Sequence, residues 1–364
     1  MNPHLTPPLR SCLLAAALLC ACQAGARAQS FTASNVGTLG SAESFGYGIN
    51  SEGVVVGYSS ESANAGSLAF SYEGGTMTNL GALGGYDSYA YAVNASGTVV
   101  GDFYTGASGG SYAFSEAGGS VTQIGTLGGT SSFAYAVNAA GTVVGYSATA
   151  ANASEHAFSY SGGRMTDLGT LGGGSSFAYG VNDSGTVVGG SATSSGAEQA
   201  FSFSCGKMTD LGTLGGTLSI AYGINSSGLI VGESYLSRNA AEHAFSYSDG
   251  KMTDLGTLGG DVSIANAVNA AGTIVGESFT AGDASEHAFV DIHGVMKDLN
   301  SLVSIKGVTL VDATAINDAG AIVAEGSNDQ TYVLTSIPEP STYAALLGVM
   351  TFGVVLARAR RRVE

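Results

Sequence analysis

Between His156 and Ser191 the chain reads HAFSYSGGRMTDLGTLGGGSSFAYGVNDSGTVVGGS, with apolar residues that alternate with polar ones or run in short blocks. Glycine pairs and Asn/Ser/Gly clusters break these blocks and no helical period is present, so the pattern predicts strands. Strands are expected over residues 156–160, 165–171, 177–181 and 186–191. The Asn-x-x-Gly element from Asn182 to Gly185 is a hairpin turn: the asparagine bonds to its own backbone, and the glycine takes the left-handed conformation that closes the loop. The SGG triplet ahead of Met165 closes a second hairpin in the same way.

Copies of this unit fill most of the chain. Their turn asparagines are Asn50, Asn94, Asn138, Asn182, Asn225, Asn269 and Asn317, at spacings of 44, 44, 44, 43, 44 and 48. An Ala-Phe marker falls at Phe70, Phe114, Phe158, Phe201, Phe245 and Phe289, and an LGxLGG-like marker begins at Leu80, Ile124, Leu168, Leu211 and Leu255. The end copies drift: the first opens with VGTLGS from Val36, and the last has Thr331 and Tyr332 in the Ala-Phe place and Ala324 in place of glycine. Such drift is expected of a capped or closed array. Four strands of ~6 residues with turns of ~5 match the length of a propeller blade. The expectation is an all-β domain over residues 29–336, built of seven tandem four-stranded repeats that close as a seven-bladed β-propeller. A parallel β-helix and an open array of small sheets are the alternatives. The seven asparagines are read as structural turns, and the Phe, Tyr, Leu and Val of the markers as the filling between blades.

Composition agrees with a folded chain: of 364 residues, 45% are hydrophobic, 11% are charged and 56 are glycine. The formal charge of −16 understates the acidity of the middle, because both ends are arginine-rich; between Gln29 and Ile337 it is −20. A field of that sign repels phosphate backbones and argues against nucleic-acid binding.

The ends read as targeting segments. Arg10 precedes an apolar run from Cys12 to Cys22, and AGARAQS follows, with Ala26 and Ala28 as the small residues of a cleavage site. Residues 1–28 are thus a signal peptide, cut by signal peptidase after Ala28. Its removal leaves Cys205 as the one cysteine, placed at a turn and unable to form an internal disulfide. Residues 337–364 form a tail: Pro338, Glu339, Pro340 and Ser341, then an apolar stretch over 342–357, then Arg358, Arg360, Arg361 and Arg362. The apolar stretch would span ~24 Å as a helix, short for a hydrocarbon core of ~30 Å. The arginines mark its cytoplasmic end.

A catalytic group normally occurs once, whereas scaffold residues recur in every copy. His156, His243 and His287 occupy equivalent places in different units and lack ligand spacing, so no metal is expected. Asp167, Asp210, Asp254 and Asp298 recur in MTDL or MKDL and read as turn or solvent-facing carboxylates. No calcium loop, nucleophile elbow, phosphate loop or cysteine cluster is present, and no cofactor is implied. The tyrosines of SxAY, at Tyr47, Tyr91, Tyr135, Tyr179 and Tyr222, with Asn266 replacing the sixth, are read as packing, with a sugar platform as the alternative. The unrepeated polar residues Asp87, Asp102, Tyr104, Arg238, Asp283, Lys306 and Glu325 are read as drift, with a binding face on loops as the alternative.

The combination of EHAFSY, GGxMTDLGTLGG and VNxxGxVVG resembles the extracellular HAF repeat family, whose His-Ala-Phe triplet is complete at His156, His243 and His287. The resemblance covers nearly the whole repeat region and implies an exported bacterial surface or matrix protein. Tyr112 and Gln199 stand in the histidine place of two units, so the ring nitrogen is not obligatory. The tail, with Pro338-Glu339-Pro340, an apolar helix and an arginine cluster, resembles the PEP-CTERM sorting signal. That implies transient membrane insertion, recognition by an exosortase, and removal of the tail near Pro338 to Ser341; a retained membrane anchor is the alternative. The expected function is a non-enzymatic structural or multivalent binding protein of the cell surface or extracellular polysaccharide matrix, with exopolysaccharide as a candidate partner. The alternative is a surface polysaccharide hydrolase or lyase built on a propeller.

Overall fold

The computed structural model describes residues 30–337, except 63–65, 84, 107 and 108. One repeat shows how the sequence makes its sheet. Gly172–Val181, Val187–Thr193, Glu198–Ser204 and Lys207–Asp210 run antiparallel, each paired with the next. The first two are joined by the asparagine turn. There Asn182 Oδ1 accepts from the Thr186 amide at 3.0 Å, the Gly185 amide donates to the Asn182 carbonyl at 3.0 Å, and Gly185 has a φ of +80°. The third and fourth strands are joined by a turn through Cys205, whose φ of +51° matches that of its counterparts Gly162 and Asp249.

The expected strand boundaries need one correction. The strand predicted over 165–171 stops early, as Arg164–Asp167, and closes the sheet that begins with Gly128–Val137. Residues 168–171 cross to the next sheet. The break is chemical: Asp167 Oδ1 accepts from the Gly169 amide at 2.8 Å, and Gly169 turns the backbone with a φ of +73°. The neighbouring strand consequently starts at Gly172, not at Phe177.

The same meander recurs along the chain. Sheets of four strands begin at Ser44–Ile49, Asp87–Val93, Gly128–Val137 and Gly172–Val181; an eight-stranded sheet holds two further meanders, beginning at Gly215–Ile224 and Gly259–Val268 and linked by the parallel pair Glu242 and Val262. The remaining sheet takes Leu310–Ile316, Ile322–Gly326 and Gln330–Ser336 from the end of the repeat region and Phe31–Asn35 from its beginning. The last repeat therefore borrows its outer strand. Across that pairing the Thr32 and Thr335 hydroxyls lie 2.8 Å apart.

The core lies between successive sheets. Val100 and Ala113 of one meander pack with Ala134, Val143 and Phe158 of the next, and the same arrangement joins the last repeat to the first through Val323, Ala315, Val55 and Phe70. The Ala-Phe phenylalanines, from Phe70 to Phe289, have no solvent exposure. Buried serines stitch these seams. The amides of Ala69, Ala113, Ala157, Ala200 and Ala244 donate to Ser88, Ser132, Ser176, Ser219 and Ser263 of the following meander at 2.8–2.9 Å, and the Thr331 amide reaches Ser44 at 3.2 Å. The glycine of the VVG triplet is needed for close approach, since a Cβ on Gly145 would strike the Phe133 carbonyl oxygen.

Each turn asparagine also reaches the next. The Nδ2 atoms of Asn50, Asn94, Asn138, Asn182, Asn225 and Asn269 donate to the carbonyl of the following turn asparagine at 2.9–3.2 Å. Asn317 donates to the Asn50 carbonyl at 3.0 Å, which returns the series to its start. Among the described residues no helix is long and apolar enough to cross a membrane, and the helix expected over 342–357 lies outside them.

Candidate binding site

The first strand of each meander carries the SxAY segment. Its serine and alanine turn into the seam, so the tyrosine, on the alternate side of the strand, is free to line an opening. Tyr47, Tyr91, Tyr135, Tyr179 and Tyr222 come together there with Asn266, Asp312 and Thr314 around a cavity of about 260 Å3. Successive tyrosine rings are 5.5, 5.0, 5.4 and 5.3 Å apart, within range for aromatic contact. Residues further along the same strands, such as Ile49, Val181 and Ile224, line a second cavity of about 220 Å3. The asparagine turns line a third, of about 320 Å3, where Asp183 and Asp318 join them. The tyrosines thus pack against each other, as read from the sequence, and in addition converge on one place.

The electrostatics of the mouth come from burial. Desolvation holds the phenols of Tyr47, Tyr91, Tyr135, Tyr179 and Tyr222 well above their ordinary range, so each is a neutral hydroxyl that can donate or accept. Several carboxyls share the environment. Desolvation pushes Asp102 up to about 7; it pushes Glu233 up to about 7 with Glu242 adding repulsion; and it pushes Glu325 up to about 7. Glu277 and Asp312 are likewise raised, by desolvation first and then by charge repulsion, Asp312 acting on Glu277 and Glu286 on both. The Tyr222 hydroxyl donates to Glu233 at 2.8 Å, and the Asn266 amide donates to Asp312 at 2.7 Å.

These acids were only partly visible in the sequence. Asp102 and Glu325 stood out as unrepeated, but Glu233 and Glu277 did not. All four occupy one register place, the residue after the VVG-like triplet, where the other repeats carry Tyr58, Tyr146 and Gly190. That alignment was the available signal. The other singular residues do local work: Asp87 accepts from the Ser67 amide at 2.9 Å, Asp283 accepts from the Asp261 amide at 2.8 Å, and Arg238 has a left-handed φ of +64°. Tyr104 ends its strand half-buried, and Lys306 is exposed.

The histidine triplet has a structural explanation as well. Nδ1 of His156, His243 and His287 lies 2.9, 2.9 and 2.8 Å from the carboxylates of Asp167, Asp254 and Asp298 on the adjacent outer strand. Where Gln199 replaces histidine, its amide lies against the Asp210 carboxylate, and the nitrogen donates to it once the amide is turned to face it. Among the described residues no cluster of three His, Cys, Asp or Glu could hold a metal ion. Ala26, Ala28, Pro338, Glu339, Pro340, Ser341, Arg358, Arg360, Arg361 and Arg362 lie outside the described residues.

No family model matches the chain, and no curated protein matches it. Solved structures do. YCF48 bound to D1 peptide is 12% identical with a TM-score of 0.52, over 85% of this chain and 96% of that one. A catalytically inactive virginiamycin B lyase from Staphylococcus aureus with quinupristin is 14% identical with a TM-score of 0.46, over 84% and 100% of the two chains. A gluconolactonase from Xanthomonas campestris is 10% identical with a TM-score of 0.40, over 86% and 96%. The two enzymes fall below the similarity at which an overlay carries an argument. The likeness to YCF48 concerns architecture and not activity, and it agrees with what the sheets show: an all-β, propeller-like fold of four-stranded repeats.

Proposed function

We propose that this chain is an exported, non-enzymatic binding protein built as a seven-bladed β-propeller, which holds a polysaccharide of the cell surface or extracellular matrix at its tyrosine mouth. The observation that carries the reading is the convergence of five tyrosines from successive repeats on one cavity. Aromatic faces stack on sugar rings, and neutral phenols exchange hydrogen bonds with sugar hydroxyls. Support for the closed ring comes from the asparagine series that returns to Asn50 and from the outer strand that Phe31–Asn35 lends to the last sheet. The repeated character of the lining favours binding, because a reacting group needs singular neighbours. Export and sorting rest on the resemblance of the ends to a signal peptide and a PEP-CTERM tail, with signal peptidase and an exosortase as processing partners.

The test is isothermal titration of the extracellular protein, purified from its host, against that host's exopolysaccharide, with Tyr135→Ala beside it. The expected result is weak saturable binding that falls tenfold or more in the variant; equal binding by a folded Tyr135→Ala protein would remove the mouth from the function. The second reading, a polysaccharide hydrolase or lyase, draws on carboxyls held near neutral pH such as Asp102 and Glu233. It requires release of new chain ends from the same polymer and their loss in Glu233→Gln.

A further inference from the structure

Three cavities follow one another along a single line. The tyrosine cavity shares Tyr47, Tyr91, Tyr135, Tyr179 and Tyr222 with the cavity of about 220 Å3, which in turn shares Ile49, Val93, Val181 and Ile224 with the cavity of about 320 Å3 at the asparagine turns. Each takes lining residues from every repeat, so the three are levels of one channel about which the repeats are arranged. Its first two levels together reach the roughly 300–1,000 Å3 of small-molecule sites.

The channel is shut at its sides. The first strands of successive meanders abut there: a Cβ on Gly48 would come within 2.8 Å of the Tyr91 carbonyl oxygen, one on Gly180 within 2.9 Å of the Tyr222 carbonyl oxygen, and one on Gly223 within 3.2 Å of the Asn266 carbonyl oxygen. No slot remains between these neighbours through which an extended chain could pass sideways. The wall still offers hydrogen bonds. In the four-stranded sheets these strands pair on one side only, and an edge strand leaves backbone N–H and C=O groups without ladder partners. Gly48 and Gly180 line the middle level, where a residue without a side chain presents its backbone. The asparagine end, by contrast, is spent on its own fastening: Asn182 Oδ1 accepts from the Thr186 amide and the Ser184 hydroxyl, and Nδ2 donates to the Asn225 carbonyl. The tyrosine end is therefore the entrance.

We infer that the site captures the end of a polysaccharide chain and not an internal stretch, with the terminal sugar seated between the tyrosines and in the level below, and the rest of the chain leaving by the same opening. An internal sugar continues in two directions and needs a groove open at both sides, which the abutting strands deny. One channel shared by all the repeats also means one chain end per molecule. The inference specifies which part of the polymer the proposed site holds, and it rests on that reading.

The experiment is calorimetric titration of the full exported protein with the host's exopolysaccharide, cut by partial hydrolysis into fractions that span a tenfold range of length and are counted by their reducing ends. The expected outcome is no more than one protein per chain in every fraction, with an affinity per chain that does not rise with length. Ile224 lines both the middle and the far level, so Ile224→Phe plugs the channel below the tyrosines. It is expected to weaken binding at least tenfold while it still melts cooperatively near the temperature of the parent. Val181→Phe is the second such variant, for the case in which the first does not fold. A count of protein per chain that climbs in proportion to length overturns end capture and leaves a polysaccharide site at the mouth. Full binding by a folded, plugged variant overturns it as well, because the sugar then stays above the channel. Failure of every fraction, short and long, removes both the inference and the binding function beneath it.

Discussion

Two kinds of side chain govern this protein at the scale of single residues. The Ala-Phe phenylalanines are the largest groups with no exposure, and each fills a seam between two sheets. Phe158→Ala is expected to cost about 3–5 kcal/mol, read as a drop in the denaturant midpoint with the slope unchanged. The buried carboxyls act in the opposite direction. Asp102, Glu233 and Glu325 have folded values near 7, against ordinary values of 3.8 for Asp and 4.5 for Glu. A group raised on folding binds a proton more tightly in the native state. Its stabilising share is therefore complete below about pH 4 and is lost as pH climbs through about 7. The melting temperature should fall between pH 5 and pH 8. Glu233, which faces Glu242, Glu198 and Tyr222, should account for up to about 3 kcal/mol of that slope. Glu233→Gln should flatten the profile in a thermal melt; an unchanged profile would show that Glu233 ionises as it does in the unfolded chain.

Among elements, the strand Phe31–Asn35 has the largest leverage for its length, because it completes a sheet whose other three strands lie some 280 residues or more away in sequence. Deleting residues 31–35 would leave Gln330–Ser336 as an open edge, which invites pairing with another chain. The expected result is a lower melting temperature together with concentration-dependent dimers or aggregates in light scattering. Adding a peptide of the missing sequence should reverse both. A deletion variant that stays monomeric and melts like the full chain would mean that the seam against Val55 and Phe70 is sufficient by itself.

For the whole molecule the question is where it ends up and in what form. The repeat region carries an acidic excess, and the arginines cluster at the ends. Intact mass of the protein from the membrane and extracellular fractions of its host should show an extracellular species that starts at Gln29 and stops near Pro338 to Ser341. Recovery only from the membrane, with Arg358 to Glu364 attached, would make the tail an anchor and would undo the matrix assignment.

What was legible without coordinates was whatever local chemistry repeats. The 44-residue spacing, the Asn-x-x-Gly turns and the alternation of the strands can be read within a single copy, because turn geometry and side-chain alternation are short-range properties. Strand boundaries were less legible. The MTDLGTLGG stretch looks continuous, and only the carboxylate bond from Asp167 to the Gly169 amide ends one sheet and sends the chain to the next. The convergence of the tyrosines on one cavity was not legible, since each tyrosine taken alone is one position in a strand. Its formation depends on bringing together residues about 44 apart, over and over, and on the last repeats placing Asn266, Asp312 and Thr314 in the same lining. The borrowed strand Phe31–Asn35 was hidden for the same reason: pairing between opposite ends of a chain is decided by closure of the packed sheets, and no nearby residue records it.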